Sequence, residues 1–326
     1  MHSYLIREKD DKRFYGSGNY FWKLFILIRS VVKRIVETWG ASKYDIIYVQ
    51  RECFMLGTSY FEKQFAKKSK LVFDFDDSIW LQVVSEGNKS LGFLKDASKT
   101  AKLIEASHMV FAGNEYLANY AKKFNHNVKI VPTTIDTDEY QRIDLPQEDP
   151  VCIGWSGSVS TIEHFEFAIP VLKKIKEKYG DRVSIKVVGD GNYRNNELGI
   201  TGLPWTKENE LKDLSSMDIG LMPLPDDEWT NGKCGLKGLQ YMALEIATIM
   251  SAVGVNTQII QDGENGFLAA TEEEWMDKIS RLIEDEKLRK RLGKEGQKTV
   301  LEKYSVKAQE ANYLKYFNHL IQSDNS

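Results

Sequence analysis

The chain has 326 residues with a formal net charge of −3, and 42% of its residues are hydrophobic. This length exceeds one ordinary domain, so we predict two domains of roughly 150 residues each. The charge is nearly balanced, so nothing argues for nucleic acid as the main partner, and we expect none. Three scattered cysteines form neither a disulfide framework nor a zinc pattern, which favours the cytoplasm. The sequence turns charged by Arg7, so we expect no secretory signal.

The first predicted element is a helix over residues 20–39, which is both apolar and basic. Its large apolar and aromatic residues are interspersed with Lys23, Arg29, Lys33 and Arg34. Two interpretations are open: a packed domain helix with a basic outer edge, or a helix that lies in a membrane interface. The width of the apolar arc favours the packed helix. Peripheral contact with the inner face of the membrane is the alternative.

Apolar runs then alternate with stretches of helical period, which is typical of parallel βα units. The predicted strands of the first half are 44–49, 70–74, 109–112 and 128–131, and the predicted helices are 100–106 and 116–124. Residues 136–150 are acidic and contain Pro146 and Pro150, so we predict an inter-domain linker there. The first predicted domain is therefore a Rossmann-like domain over residues 1–145.

The same alternation restarts after the linker. The predicted strands are 151–155, 184–188, 219–223 and 248–251, the predicted helices are 165–179 and 208–217, and the chain is helical from 271 onward. We predict a second Rossmann-like domain over 146–300 and a C-terminal helix over 301–326 that returns to the first domain. The expected fold class is α/β, with two doubly wound domains that face each other across a cleft. Ligands of such folds bind at the carboxyl ends of the strands.

The most informative segment is the glycine-containing loop that opens an apolar helix at 232–243. Gly232 and Gly235 allow backbone N–H groups to converge on an anion, and the helix N-terminus adds partial positive charge. Lys233 and Lys237 add two full charges. This combination can hold a diphosphate without a metal, although an ordinary loop before a core helix is the alternative.

Residues 44–320 resemble the retaining glycosyltransferases of group 1, or family four, which have two Rossmann-like domains (the GT-B fold). The resemblance is carried by the loop with Met242-Ala243, by 256–268, by 131–136 and by Ser156-Gly157-Ser158. It implies a nucleoside-diphosphate-sugar donor in the second domain, an acceptor in the first domain, and no cofactor or metal. The residues predicted to bind the donor are Gly157, Ser158, Lys233, Cys234, Gly235, Leu236, Lys237 and Gln240.

Several positions depart from the family pattern. The two glutamates of the family signature fall on Gly232 and Gln240, and a family glycine falls on Glu245. In the family the second glutamate holds the ribose hydroxyls, and Gln240 can still hydrogen-bond a ribose. The first βα unit of the family is expected to be shortened or remodelled here. A catalytically weak nucleotide-sugar-binding protein is therefore an alternative to an active enzyme.

The acidic motif at 72–78 supports a different alternative. Asp74 and Asp76 have the spacing of the nucleophile and the acid/base of haloacid dehalogenase-like phosphatases. That motif normally begins a domain, whereas here it follows an earlier strand. In the transferase interpretation, Asp76 and Asp77 are the predicted catalytic residues, which orient or deprotonate an acceptor hydroxyl. A solvated acidic turn is the third interpretation.

The sequence therefore predicts a retaining, metal-independent glycosyltransferase that builds a bacterial surface polysaccharide at the cytoplasmic face of the membrane. Its expected partners are a nucleotide-sugar donor and a glycan or lipid-linked acceptor.

Overall fold

The computed structural model describes residues 3–7, 10, 13–14, 18–54, 57–81, 96, 98–145 and 150–322. Contacts divide the chain into one unit of Met1–Val131 with Leu314–Ser326 and a second unit of Pro132–Tyr313. The division falls earlier than the predicted boundary at 145, because the residues after Pro132 bond to the second unit. Ile135 N donates to Tyr304 O at 2.8 Å, and Arg142 Nη1 donates to Glu245 O at 3.1 Å.

The first unit is built on a parallel sheet. Its elements are α1 (Tyr20–Trp39), β1 (Ile46–Gln50), α2 (Tyr60–Ala66), β2 (Lys70–Phe75), α3 (Lys99–Ala106), β3 (Met109–Ala112), α4 (Glu115–Ala121) and β4 (Val128–Ile130). The strands pair in the order β1-β2-β3-β4, and every pair is parallel. All four residues of β3 are fully buried, as expected for a central strand of a parallel sheet that is covered on both faces.

The second unit contains a larger parallel sheet and most of the C-terminal helices. Its strands are β5 (Val151–Ser156), β6 (Val183–Gly189), β7 (Arg194–Asn195), β8 (Ile200–Thr201), β9 (Leu203–Pro204), β10 (Ile219–Met222), β11 (Ala247–Ser251) and β12 (Phe267–Ala269). Its helices are α5 (Ile162–Glu166), α6 (Ile169–Tyr179), α7 (Lys207–Ser215), α8 (Glu228–Asn231), α9 (Leu236–Ala243), α10 (Asn256–Ile259), α11 (Glu272–Glu284) and α12 (Glu286–Thr299).

The six-stranded sheet of this unit has the order β12-β11-β10-β5-β6-β9, and β7 and β8 form a separate antiparallel pair. The last helix, α13 (Val306–Gln322), crosses the division between the units. Within the first unit, its Phe317 ring packs edge-on against Tyr48 of β1 at 6.4 Å between centroids. The parallel α/β fold class predicted from the sequence is confirmed by this architecture and by its similarity to solved structures.

The N-terminal helix α1 differs from the expected packed helix. Its buried residues are Ile26, Ser30, Arg34 and Thr38, so the side that contacts the protein is largely polar. Most of its large apolar side chains are exposed instead. No helix in the described parts of the chain is long and apolar enough to cross a membrane.

Gly293 of α12 marks a tight contact in the second unit. A Cβ at this position would lie 2.2 Å from the carbonyl oxygen of Glu245, a backbone atom that cannot rotate away. Alanine gains about 1 kcal/mol of helix propensity over glycine, but a backbone contact this short puts the overpacking cost in the upper part of its range, at about 2–3 kcal/mol. We therefore expect Gly293→Ala to lower the free energy of unfolding in urea by about 1–2 kcal/mol.

Gly40→Ala is the matched control, because the nearest atoms to its Cβ lie 3.8 Å away. This variant should stay within about 0.5 kcal/mol of the parent chain. An unchanged urea midpoint for Gly293→Ala would contradict the packing of α12 described above.

Candidate functional site

The strand order of the six-stranded sheet reverses between the neighbours β5 and β10. The chain leaves β5 toward β6 on one side and leaves β10 toward β11 on the other. In open α/β sheets, a ligand crevice forms outside the carboxyl ends of the strands at such a reversal. The two predicted donor-binding segments, 156–158 and 232–237, follow these two strands. The topology therefore selects the same edge of the sheet as the sequence motif.

Gly157 and Ser158 lie where β5 ends. Gly157 N donates to Val188 O at 3.0 Å, and a Cβ on Gly189 (φ +139°) would lie 2.0 Å from Gly157 O. The ends of β5 and β6 therefore touch through their backbones, which only glycine permits. Ser158 is exposed, and its N–H donates to Thr161 Oγ1 at 2.9 Å in a capping box.

The loop at 232–235 joins α8 to α9. Gly235 has φ +75°, and a Cβ there would lie 2.3 Å from Ile259 Cδ1. This glycine therefore fixes the start of α9 at Leu236. The first N–H groups of α9 have no partner within the helix. Cys234 is buried and its Sγ donates to Gly232 O at 3.8 Å. The thiol thus points into the protein, and only the backbone of Cys234 is suited to contact a ligand.

The two loop lysines lie in different surroundings. Lys233 Nζ is 4.8 Å from the ring centroid of Trp229. The pKa of His164 in α5 is lowered first by burial and next by the positive charge of Lys233. Lys237 is half-buried, and its Nζ donates to Gln240 Oε1 at 3.0 Å. Burial lowers the pKa of Lys237, and the negative charge of Glu210 acts in the opposite direction.

Gln240 belongs to a polar cluster with Tyr140, Glu210 and Lys237. Its Nε2 donates to the Tyr140 hydroxyl and to Glu210 Oε1, the latter at 3.2 Å. Burial, followed by the charge of Glu210, raises the pKa of Tyr140. Tyr140 and Glu210 were not predicted from the sequence. One feature of the sequence could have pointed to Glu210. It is a carboxylate near the start of a helix, and the strand before that helix ends at the same edge of the sheet as β5 and β10.

In the first unit, Asp76 and Asp77 directly follow β2, and Arg51 directly follows β1. Arg51 has φ +62°, which is rare for a residue with a side chain. Its N–H donates to Asp74 O at 2.8 Å, and its Nη1 lies 3.5 Å from Asp77 Oδ2. The structure therefore brings Asp77 and Arg51 together as an ion pair, beside a half-buried Asp76.

The position of Asp74 does not favour the phosphatase alternative. Asp74 lies inside β2, in register with Gln50 and Phe111, whereas a nucleophile must be accessible where the strand ends. The Tyr48 hydroxyl donates to its Oδ2, and burial raises the pKa of Asp74 to about 6. Among the described residues, no three His, Cys, Asp or Glu side chains are grouped so that they could hold a metal ion.

Residues 150–285 match the family model "Glycosyl transferases group 1". Over 329 aligned residues, the chain is 23% identical to MJ1069, an uncharacterised glycosyltransferase of Methanocaldococcus jannaschii. That alignment covers 92% of this chain and 79% of the relative. The matched family segment contains both β5 with Gly157 and the loop that opens α9.

Solved structures share the fold. Sucrose-phosphate synthase from Thermosynechococcus elongatus superposes with a TM-score of 0.70 at 15% identity, covering 91% of this chain and 79% of that one. HepE (Alr3699) of Anabaena, solved in complex with UDP-glucose, gives a TM-score of 0.63 at 14% identity, with 91% and 90% covered. These similarities show the GT-B fold. Residues 150–285 are similar to the group 1 glycosyltransferases, and the similarity to MJ1069 extends over most of the chain.

Proposed function

We propose that this protein is a glycosyltransferase that moves a sugar from a nucleoside-diphosphate donor to a hydroxyl of a glycan or lipid-linked acceptor. One observation carries the proposal. Lys233, Lys237 and the first N–H groups of α9 lie after β10, where the sheet order reverses, within the segment that matches the family model. HepE, a structural neighbour, has been solved with UDP-glucose. We therefore assign donor binding to the second unit.

Charge at this site suits the chemistry of transfer. When the bond between the sugar carbon and the phosphate oxygen breaks, the departing diphosphate gains negative charge while the sugar ring becomes positive. Preoriented N–H dipoles and ammonium groups stabilise that charge without reorganising. The two lysines would therefore take the part that a metal ion has in other transferases, with Gly157 and Ser158 contacting the donor from the end of β5.

The remaining parts of the proposal depend on the family resemblance. These are retention of the anomeric configuration, independence from metal, and a role in surface polysaccharide synthesis at the cytoplasmic face. Acceptor binding is assigned to the first unit, where Asp76 and Asp77 follow β2. Peripheral contact of α1 with the membrane belongs to the same proposal. It is supported by the exposed apolar side chains of that helix.

A thermal-shift screen tests the donor assignment. Uridine, guanosine and adenosine diphosphates and their sugars are compared in the presence of a chelator. Ligand at 100 times its Kd stabilises a protein by about 2.7 kcal/mol, so one nucleotide should raise the Tm by about 5 °C or more. If none of them shifts the Tm, the donor assignment is wrong.

Consumption of the nucleotide sugar distinguishes an enzyme from a protein that only binds this donor. We expect the nucleotide sugar that stabilises the protein to be consumed without added metal when a glycan acceptor is supplied. Stabilisation without any consumption across a panel of acceptors would instead favour the catalytically weak binding protein that Gly232 and Gln240 suggest.

A further inference from the structure

The loop that leaves β1 is held by buried charged side chains from three helices. We call residues 51–54 the 51–54 loop. It begins with Arg51, whose φ is +62°, and it ends with Cys53 and Phe54, which are buried. Loops normally run over the surface, because buried backbone N–H and C=O groups need partners. The buried part of this loop must therefore find its partners within the protein.

Glu62 of α2 and Arg34 of α1 bind the two main-chain polar groups of Cys53. Cys53 N donates to Glu62 Oε1 at 3.1 Å, and Arg34 Nε donates to Cys53 O at 2.6 Å. Glu62 is fully buried, and Arg34 is buried as well. The backbone of Cys53 is thus fixed on both sides by charged side chains from two different helices.

Lys99 of α3 binds the next residue of the loop. Its Nζ donates to Phe54 O and to Glu52 Oε2, the latter at 2.6 Å. Lys99 is buried too. Burial of a charge is costly unless the charge is paired and hydrogen-bonded. The chain therefore places three charged side chains, at a considerable cost in free energy, around one short loop. We call Glu62, Arg34 and Lys99 the loop clamp.

The 51–54 loop carries one half of the ion pair in the first unit's candidate site. Arg51 Nη1 lies 3.5 Å from Asp77 Oδ2, and Arg51 N donates to Asp74 O at 2.8 Å. A left-handed conformation is unfavourable for a residue with a side chain, and it persists only where the surrounding structure imposes it. The loop clamp fixes the backbone directly after Arg51, so it supplies that constraint.

We propose that Glu62 is a positioning residue for sugar transfer, which acts on the ion pair of Arg51 and Asp77. The proposal rests on the proposed function, in which Asp76 and Asp77 act on the acceptor hydroxyl. Glu62 is fully buried, so it does not touch the acceptor. It keeps the Asp77 carboxylate oriented, because small displacements of a reacting group lower the rate strongly. The other two members of the loop clamp act in the same way.

Thiol labelling tests whether Glu62 holds the loop. The three cysteines of the chain are all buried, so the parent should react slowly with an aromatic disulfide reagent. Glu62→Leu leaves Cys53 N without its acceptor and should raise the labelling rate of Cys53 at least about tenfold through local opening. Glu62→Gln keeps an oxygen acceptor at this position and should stay close to the parent. Mass spectrometry of the labelled peptides identifies Cys53.

Steady-state kinetics test whether the loop positions the reaction. With methyl glycosides of glucose, galactose and mannose as soluble acceptors, Glu62→Leu should lower the acceptor kcat/KM at least about tenfold. The KM for the donor should stay at the parent's value. Val110→Ala is the matched control, because Val110 is fully buried in β3, two strands away from β1. It should lower the Tm but leave the labelling rate and the kinetics unchanged at temperatures below the Tm.

A double variant with Asp77→Asn shows whether Glu62 acts through that ion pair. In the Asp77→Asn background, Glu62→Leu should change the acceptor kcat/KM by less than about twofold, because the pair is already broken. A merely structural defect would instead be additive. Lys99→Met, which removes the contact with Phe54 O, should reproduce both effects of Glu62→Leu, and it takes the place of that variant if Glu62→Leu does not fold.

Three results would overturn the proposal. Unchanged labelling of Cys53 in Glu62→Leu and in Lys99→Met would show that the loop is held without the clamp. Faster labelling with the parent's kinetics would leave the clamp a purely structural device. Equal losses with and without Asp77→Asn would show that Glu62 acts by another route. The turnover of the parent tests the proposed function separately, since labelling needs neither donor nor acceptor.

Discussion

Lys237→Ala is expected to weaken nucleoside-diphosphate binding by about 10- to 100-fold, which is the loss of one charge-assisted hydrogen bond worth about 1.5–3 kcal/mol. The half-buried ammonium of Lys237 is held at the start of α9 by Gln240 at 3.0 Å and feels the charge of Glu210. A diphosphate at this helix N-terminus would take over that ammonium group. Calorimetric titration of the nucleotide selected by the thermal-shift screen measures the change. Lys233→Ala should act in the same direction.

The double variant Lys237→Ala/Glu210→Gln makes this prediction specific. Removing the lysine alone leaves the Glu210 carboxylate beside the diphosphate without a compensating cation. Neutralising that carboxylate should therefore recover part of the lost affinity, which a merely structural defect would not show. Lys174→Ala is the control, because Lys174 is an exposed lysine of the same unit that pairs with Glu272. Lys174→Ala should bind the nucleotide as tightly as the parent does. If Lys237→Ala also binds it as tightly, Lys237 does not belong to the donor site.

Periodicity predicted the parallel sheets well but not their irregular parts. The strand predicted at 109–112 is observed as Met109–Ala112, because four buried apolar residues leave little ambiguity. The single helix predicted at 165–179 is instead two helices, α5 and α6. Pro170 lies in the first turn of α6, where its missing N–H is tolerated, and it cannot continue a helix from α5. The strand β9 has two residues, one of them proline, and shows no pattern.

The loop of the candidate site was visible in the sequence, whereas its partners were not. Glycines and lysines at 232–237 form a local pattern with a local physical meaning. Gln240, in contrast, meets Glu210 and Tyr140, which are 30 and 100 residues away along the chain. Similarly, the period of α1 defines an apolar side but does not say whether that side faces the protein. Such contacts depend on how elements pack, which no short window of sequence contains.

Asp76→Asn is expected to lower the kcat of sugar transfer by about 10²- to 10⁴-fold, the range for removal of a general base. Asp76 is half-buried directly after β2, beside the ion pair of Asp77 and Arg51. An amide has the shape of the carboxylate but cannot accept the proton of an acceptor hydroxyl. The KM for the donor should stay unchanged, since donor binding is assigned to the other unit. Steady-state kinetics with a soluble glycan acceptor provide both constants.

Asp77→Asn separates proton transfer from orientation. Asp77 is bonded to Arg51, whose φ of +62° the surrounding structure must maintain. Its loss should therefore lower kcat less than the loss of Asp76, and it should lower the Tm as well, because Arg51 loses its partner. Asp45→Asn, an exposed residue before β1 at the opposite edge of the sheet, is the control and should behave as the parent. If Asp76→Asn transfers sugar at the parent's rate, the base lies elsewhere, and the acidic turn after β2 has only a structural role.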